Sequence, residues 1–464
     1  MRIDLYYILK LCIYVGIVLV PITSIDSPLF SALLRGLSEE AAFYPFFLGM
    51  LLWAGYTLTI SKKIFLPKDS SFKYLIYFIG VVLVSGIANI PDIYNNSFRD
   101  VSGMNRFLTL FMGFSFYLFV LIYIYNTLRL DEKLLKRFQI TCIISFCIAG
   151  FYSVFEIGNL LNLPGMKEIL SFFDSLIRGP ANAYLAEIRI RSICLEPSMF
   201  GIYSAFILPW VFSGVFFFKR KIFMLFLSIY LLTLMILSAS RSMYIIFLVE
   251  ILLFCFFYRK KFFEHKKEIL FSLVFLFVML GYIIIFFQQQ VSFNLNIEDI
   301  YFSILALDSE SNLARYGTQV AAWNMFLDHP FLGVGLGQYA YNAPDYMPAW
   351  AYNSVEISES VLDIEGAMWP LVHGLYFRLL GEIGLLGFAL WVGMWGRIVY
   401  KLLQTSKFYD NVARMRIYNL IISILGSLLY GFMHDSFATF NFWILMGISF
   451  IIIDNIPLQK TNKE

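Results

Sequence analysis

The sequence predicts an all-α, polytopic integral membrane protein of about 12 transmembrane helices, with a long, partly helical outer loop between spans 9 and 10. Composition is the first reason. The 464 residues are 59% hydrophobic and 14% charged, against roughly 25% charged in an ordinary soluble chain, which leaves too few charges to cover a water-facing surface. The second reason is that the apolar residues gather into about twelve blocks of roughly the 17 to 25 residues that cross a bilayer as helix. The third is that Lys and Arg crowd alternate connections between those blocks. Soluble, secreted and nucleic-acid-binding classes are thereby excluded. Cys12, Cys142, Cys147 and Cys255 lie in apolar blocks and Cys194 stands apart, so no disulfide framework or redox chemistry is indicated.

Long apolar runs broken by charge place spans near 5–23, 43–60, 74–91, 107–127, 139–160, 198–218, 222–239, 242–258, 269–288, 374–400, 417–433 and 441–456. The first run contains Lys10 and is not followed by a small-residue cleavage site, so it is expected to be a retained anchor. Three regions result. Residues 1–288 hold spans 1–9 with an outer loop near 161–197, residues 289–373 form the large outer loop, and residues 374–464 hold spans 10–12 and a tail.

Orientation follows from the basic residues, since cytoplasmic connections carry the excess of Lys and Arg. One set of connections, together with Arg2, Lys10 and the tail, holds 25 of the 35 basic residues. Both termini are therefore expected in the cytoplasm. The other set holds Arg35, Arg99, Arg106, Lys167, Arg178, Arg189, Arg191, Arg241 and Arg315, with Arg378 just inside the tenth span. Nine of these ten are arginine, the side chain suited to bidentate recognition of phosphate. For Arg35, Arg99 and Arg378, pairing with the neighbouring acids Glu39, Glu40, Asp100 and Glu382 is the preferred reading.

Chemistry is expected in the two long outer connections. Residues 289–373 carry ten acids and a single base, Arg315, and their aromatic content argues for ordered structure. From Arg315 the sequence predicts an amphipathic helix of about three turns ended by His329-Pro330. A glycine loop with Gly333, Gly335 and Gly337 follows, where positive φ and close backbone approach are allowed. His373 opens the tenth span, and Gly381, Gly384 and Gly387 beyond it are expected to share a helix face that lets a neighbour pack closely.

Arg315-(x)7-Trp323-(x)5-His329-Pro330-(x)2-Gly-Val-Gly-Leu-Gly, then His373 at a span start, then Gly-Glu-Ile-Gly-Leu-Leu-Gly ending at Gly387, together resemble the O-antigen polymerase and ligase family. The resemblance extends back to Ser238-Ala-Ser-Arg241-Ser and covers roughly residues 230–400. Arg191 to Gly201 (RSICLEPSMFG) is similar to the polymerase branch, while Gly374 stands where the family often has Asn. The resemblance implies transfer of a glycan from undecaprenyl pyrophosphate to an acceptor hydroxyl on the periplasmic face of the inner membrane. It implies no cofactor, metal or nucleotide sugar. Implied partners are the lipid-linked oligosaccharide donor and acceptor, membrane lipid and a chain-length regulator.

Cleavage of the donor C–O bond leaves growing negative charge on the pyrophosphate, which fixed guanidinium groups stabilise more in the transition state than in the ground state. Arg241 and Arg315 are the matched positions, with Arg191 added. His373 is the matched general base for the acceptor hydroxyl, and Asp363 and Glu365 are next in line for that role. Arg189 and Glu196 are further candidates, although Glu196-Pro197-Ser198 most simply starts the sixth span with Pro at its first turn. The sequence expects His329 to cap a helix end, His434 merely to begin an outer turn, and His265 to lie in a basic cytoplasmic loop. Polymerase is preferred over ligase, and a lipid-linked oligosaccharide flippase is the alternative from another class.

The charge asymmetry predicts that cysteine replacing Ser309 is labelled from outside intact cells and cysteine replacing Glu264 is not. Outside labelling at residue 264 would reverse the orientation.

Overall fold

A computed structural model of the chain describes residues 5–25, 35–179, 189–264, 310–362 and 369–455. Among them seven helices are long and apolar enough to cross a membrane, and three more are apolar but shorter. In chain order the main helices are α1 (Leu5–Val18), α2 (Phe43–Tyr56), α3 (Ser70–Ala88), α4 (Gly103–Leu128), α5 (Leu134–Leu160), α6 (Met166–Arg178) and α7 (Pro197–Phe212). They continue with α8 (Lys221–Leu237), α9 (Arg241–Glu264), α10 (Glu310–Asp328), α11 (Tyr339–Tyr346), α12 (Leu375–Ser406), α13 (Asn411–Tyr430) and α14 (Phe440–Asp454). The protein is a polytopic membrane protein, and helices occupy eleven of the twelve expected spans. The expected span 269–288 lies outside the described residues. One departure from all-helical structure is a small hairpin pairing Ser97–Phe98 with Val101–Ser102. Its two turn residues, Arg99 and Asp100, both have positive φ, as a two-residue hairpin of this hand requires.

Lipid tails are as apolar as the helices, so the bundle is held by close packing and interhelical hydrogen bonds rather than by exclusion of water. Phe78, Phe114, Trp391, Phe437 and Trp443 interlock at the centre, with ring centroids 5.2 to 6.3 Å apart. A polar seam ties α5, α7, α9 and α13 together. Trp210 donates to the Ser423 hydroxyl at 2.9 Å, Asn419 to Ser213 at 2.7 Å, and Tyr258 to Asn419 at 2.7 Å.

Alternate connections meet at the same end of the bundle. At one end Leu195 N–H donates to Thr23, Asn96 to Gln338, and Gln319 to the Phe432 carbonyl. At the other, Lys68 N–H donates to Asp454, Asn126 to the Phe65 carbonyl, and Arg416 to Gln139. The candidate residues gather at the first end.

Two expectations are corrected around α10 and α12. Helix α10 does not begin at Arg315 but at Glu310, and runs 19 residues to Asp328, because the residues before Arg315 include no proline or glycine to stop it. Gly381, Gly384 and Gly387 do not form one face of a regular helix. Gly384 has φ 73° and ψ −173° and breaks α12, a conformation open essentially only to glycine. The break is filled by the glycine loop. Leu385 N–H, which would otherwise bond the Gly381 carbonyl, donates to Pro330 O at 2.8 Å. Gly381 O instead accepts from Val334 N–H at 3.0 Å, and Glu382 O from Gly335 N–H at 2.8 Å.

The expectation of positive φ at Gly333, Gly335 and Gly337 holds, with values of 64°, 104° and 78°. A Cβ on Gly333 would come within 2.4 Å of the Glu382 backbone, and one on Gly384 within 2.3 Å of the Phe331 backbone. Neither neighbour is a flexible side chain. Gly384→Ala is therefore expected to lose at least about 1–3 kcal/mol, the usual cost of overpacking, on top of its backbone strain. Gly113→Ala, in mid-helix with no atom within 4 Å of the added Cβ, should be neutral or slightly stabilising. Thermal unfolding of the purified proteins in detergent compares the two, and equal midpoints would contradict the account.

Candidate active site

His373 lies in the turn that leads into α12, at φ 54°. A non-glycine residue is held in this left-handed region only when its surroundings fix it, and here they do. Thr318 donates to the Val372 carbonyl at 3.0 Å and Gln319 to the His373 carbonyl at 2.9 Å. Leu375 N–H bonds the Gly431 and His434 carbonyls at 2.7 and 2.9 Å. The turn is thus pinned by α10 on one side and by the α13–α14 connection on the other. A Cβ at Gly374 would lie 3.2 to 3.3 Å from Gln319, Phe377 and the Phe432 carbonyl, which accounts for glycine rather than a larger residue after the histidine.

The imidazole Nε2 of His373 is 3.2 Å from a carboxylate oxygen of Glu356. Glu356 sits in a one-turn helix, Val355–Ile357, capped by the Ser354 hydroxyl. A carboxylate on Nε2 fixes the proton there, leaving Nδ1 as the basic nitrogen, and stabilises the imidazolium that forms when Nδ1 takes a proton. Nothing in the local sequence distinguishes Glu356, one acid among ten in its loop.

Arg315 is one helical turn before Gln319 on α10, the spacing at which side chains share a face. That face is the one bonded to the His373 turn. Its side chain is half-exposed, and among the described residues it has no ion-pair partner. Arg241 begins α9 two residues after Ala239, another non-glycine residue at positive φ, 48°; the Arg241 side chain lies outside the described part of the structure. The turn before it is joined to the Arg189–Arg191 segment by a bond from Ile190 N–H to the Leu237 carbonyl, 3.1 Å.

Arg191 and Arg189 face different surroundings. Arg189 is exposed. The Arg191 guanidinium, expected to contact pyrophosphate, is buried and engaged by Asp174 at 2.8 Å and by the Leu195 carbonyl at 3.0 Å. Arg178 shares Asp174, and Glu156 accepts from the backbone N–H groups of Arg191 and Ser192. Such a network anchors the segment leading to Arg241 and α7. Glu196 is exposed at the start of α7, with Pro197 in the first turn as expected. Asp363 and Glu365 lie outside the described residues, as does His265, and the side chain of Arg35 is not described.

Three groups beside the His373 turn were underrated by the sequence. Arg378 pairs with Glu382 at 3.0 Å, as expected, but also lies 3.8 Å from the Asp435 carboxylate. Burial alone would raise the Asp435 carboxyl, yet Arg378, His434 and His373 outweigh it and hold the group below its usual range. His434 is more than the start of a turn. Its Nδ1 accepts from Ser436 N–H at 3.2 Å, and burial lowers its pKa against the opposing pull of Asp435 and Glu196. Arg378 and Asp435 stand 57 positions apart in the chain, so their proximity in space leaves no trace in local sequence.

The bundle thus sets a histidine–carboxylate pair beside an arginine that has no ion-pair partner among the described residues. Residues 223–392 match the Wzy_C family model, described as O-antigen ligase, a family that includes both polymerases and ligases. None of the curated proteins compared matches the chain.

Both His434 and Asp435 bind protons less readily when folded, so at these two positions the unfolded chain takes up more protons as pH falls, and their part of the stability declines with acidification. The His434 contribution is lost from about pH 6.5 downward and that of Asp435 from about 3.8 downward, their ordinary values. Glu40, whose buried carboxyl binds its proton more readily when folded, acts in the opposite direction over this range, so the thermal midpoint of His434→Gln is expected to rise relative to that of wild type as pH falls from 7 to 5. An unchanged slope in the variant would remove His434 from the account.

Proposed function

We propose that the chain is a surface-polysaccharide polymerase, with twelve spans in the bacterial inner membrane, both termini cytoplasmic and the His373 end periplasmic. The reaction transfers a glycan from undecaprenyl pyrophosphate to a sugar hydroxyl of a lipid-linked repeat unit, without a metal. The observation that carries it is the His373–Glu356 pair, 3.2 Å apart, on a strained turn beside Arg315, within the part of the chain that matches the family.

In this reaction the acceptor oxygen attacks the anomeric carbon as the bond to the pyrophosphate oxygen breaks. His373 Nδ1 takes the hydroxyl proton, and Glu356 stabilises the resulting imidazolium. Arg315 and Arg241 bind the pyrophosphate and stabilise the charge it gains as leaving group. Arg191 acts through position, fixing the segment that carries Arg189 and abuts Arg241. The family model's description favours a ligase as second reading, with the same donor chemistry and lipid A-core as acceptor. The Arg191 to Gly201 stretch supports the polymerase. Deletion separates the two: a lost polymerase leaves single repeats on lipid A-core, and a lost ligase leaves full-length chains on carrier lipid.

His373→Ala should cut chain formation by about 10²- to 10⁴-fold, the usual contribution of a general base, while leaving donor binding intact. Arg315→Ala and Arg241→Ala should each slow transfer by roughly 10- to 150-fold, the loss of a charge-assisted contact, and weaken donor binding as well. Glu356→Gln keeps a hydrogen-bonding group and removes the charge, so a loss of about 10- to 100-fold is expected. The assay is ladder formation by purified protein from a lipid-linked repeat unit. A normal ladder from His373→Ala would exclude the role of base, and normal rates from both arginine variants would exclude the pyrophosphate assignment.

A further inference from the structure

A cavity of about 370 Å³ opens at the same end of the bundle as His373, between the turn before α2, the start of α4, the start of α7 and the α13–α14 connection. Its volume is in the range of about 300 to 1,000 Å³ usual for small-molecule sites. His434, from the turn bonded to Leu375, forms part of its wall, so the cavity adjoins the His373 turn.

The polar lining is mixed in sign. Glu39 and Glu40 face Arg106 and His434. Burial pushes the Glu40 carboxyl up to about 8, with the hydrogen bond from Tyr117 opposing and the Glu39 charge adding, so Glu40 is largely protonated at neutral pH. Burial keeps His434 neutral there too. One anion and one cation remain, which gives a pyrophosphate no net attraction.

Uncharged hydrogen-bonding groups are plentiful, and some are unused. Asn441 is 4% exposed and its side-chain oxygen has no hydrogen-bond partner among the described residues; the Thr439 hydroxyl is likewise buried without one. Both belong to the lining, as do the rings of Tyr117 and Phe440. Buried polar atoms normally find a partner, and those left without one cost about 1 to 3 kcal/mol each. An isoprenoid tail would leave them unsatisfied. A sugar ring offers hydroxyls to Glu40, Asn441 and Thr439 and apolar faces to the aromatic rings.

We propose that this cavity is the acceptor-sugar subsite, binding the non-ionic sugar whose hydroxyl is presented to His373, with Glu40 and Asn441 as its principal hydrogen-bonding residues. The assignment rests on the glycan-transfer reading above. It divides the site into a cationic donor half carried by Arg315 and Arg241 and an acceptor half with no net charge.

Gly113 provides a direct test. It lines the cavity on the same α4 face as Arg106, Thr109, Leu110 and Tyr117, and an added Cβ there meets no atom within 4 Å. Gly113→Phe should fill the space without displacing backbone. Purified wild type, Gly113→Phe and Glu40→Ala in nanodiscs would be given the lipid-linked repeat unit extracted from cells lacking this protein. Binding of bare undecaprenyl pyrophosphate would be measured in parallel. Both variants should lose ladder formation by about 10- to 100-fold while binding bare undecaprenyl pyrophosphate within about twofold of wild type. Should Gly113→Phe fail to fold, Glu40→Ala gives the same reading alone. Wild-type ladders from the folded variants would overturn the subsite, and so would loss of undecaprenyl pyrophosphate binding, which would make the cavity part of the donor site. A wild type that binds the carrier but builds no ladder would overturn the polymerase reading instead.

Discussion

The insertion of the Pro330–Gly335 loop into the broken helix α12 is the constraint on which the candidate site depends. A helix interrupted inside a membrane protein exposes carbonyls and N–H groups that neither lipid nor a neighbouring side chain readily satisfies. Here the backbone of the loop supplies each missing partner in register, from Leu385 N–H to Gly381 O and Glu382 O. Two side chains at the end of α3 hold the loop from behind: Ser85, in its last turn, donates to the Leu332 carbonyl at 2.6 Å, and Asn89, its C-cap, to the Gly333 carbonyl at 3.0 Å. Because α10 runs straight into this loop, fixing the loop fixes the helix that carries Arg315, Thr318 and Gln319. These in turn fix His373. The glycines matter here as absences of Cβ atoms, and the N–H groups of Val334 and Gly335 are already committed to carbonyls.

Glu382 joins this backbone joint to the electrostatics. Its carbonyl accepts from Gly335, while its carboxylate accepts from Tyr339 N–H at 3.3 Å and pairs with Arg378. Arg378 reaches across to Asp435 and its carbonyl, so the start of α12 is locked to the α13–α14 connection that holds His434. A buried network of this kind adds little net stability when complete. Removing one partner leaves an uncompensated charge at a cost of about 3–5 kcal/mol, and that asymmetry makes the network a device for geometry.

Legibility in the sequence followed the range of the interactions. Eleven helices were visible because hydropathy is a local property, and the Arg378–Glu382 pair because four residues make one helical turn. Pro197 announced the start of α7 for the same reason. The glycine motif was visible as a set of unusual positions but not as a joint, since its partner lies some fifty residues away and the helix break at Gly384 has no meaning without the inserted loop. Arg315 was placed at the start of a helix because the motif began there, whereas five residues upstream were equally able to be helical. Glu356, His434 and Glu40 carried no local signal. Arg191 stood out as an outer arginine, and only the fold brings Asp174 to it.

In the glycan-transfer reading, the acidity of the outer loop sets a physical problem that the arrangement of charges answers. Residues 289–373 carry ten acids and one base, a field that disfavours a dianionic donor unless a guanidinium stands close to it, where the near charge outweighs the screened distant ones. Arg315 meets that condition because no described acid neutralises it. Transfer creates two charges in one step, a cation on the base and added negative charge on the leaving group. Placing Glu356 behind His373 and arginines at the pyrophosphate gives each new charge its own fixed counter-charge, with no reorganisation needed at the moment of reaction. An arginine against His373 would instead lower its basicity, and a carboxylate at the pyrophosphate would oppose bond cleavage. Distinct counter-charges for the base and for the leaving group are therefore as much a requirement of the chemistry as the presence of either side chain.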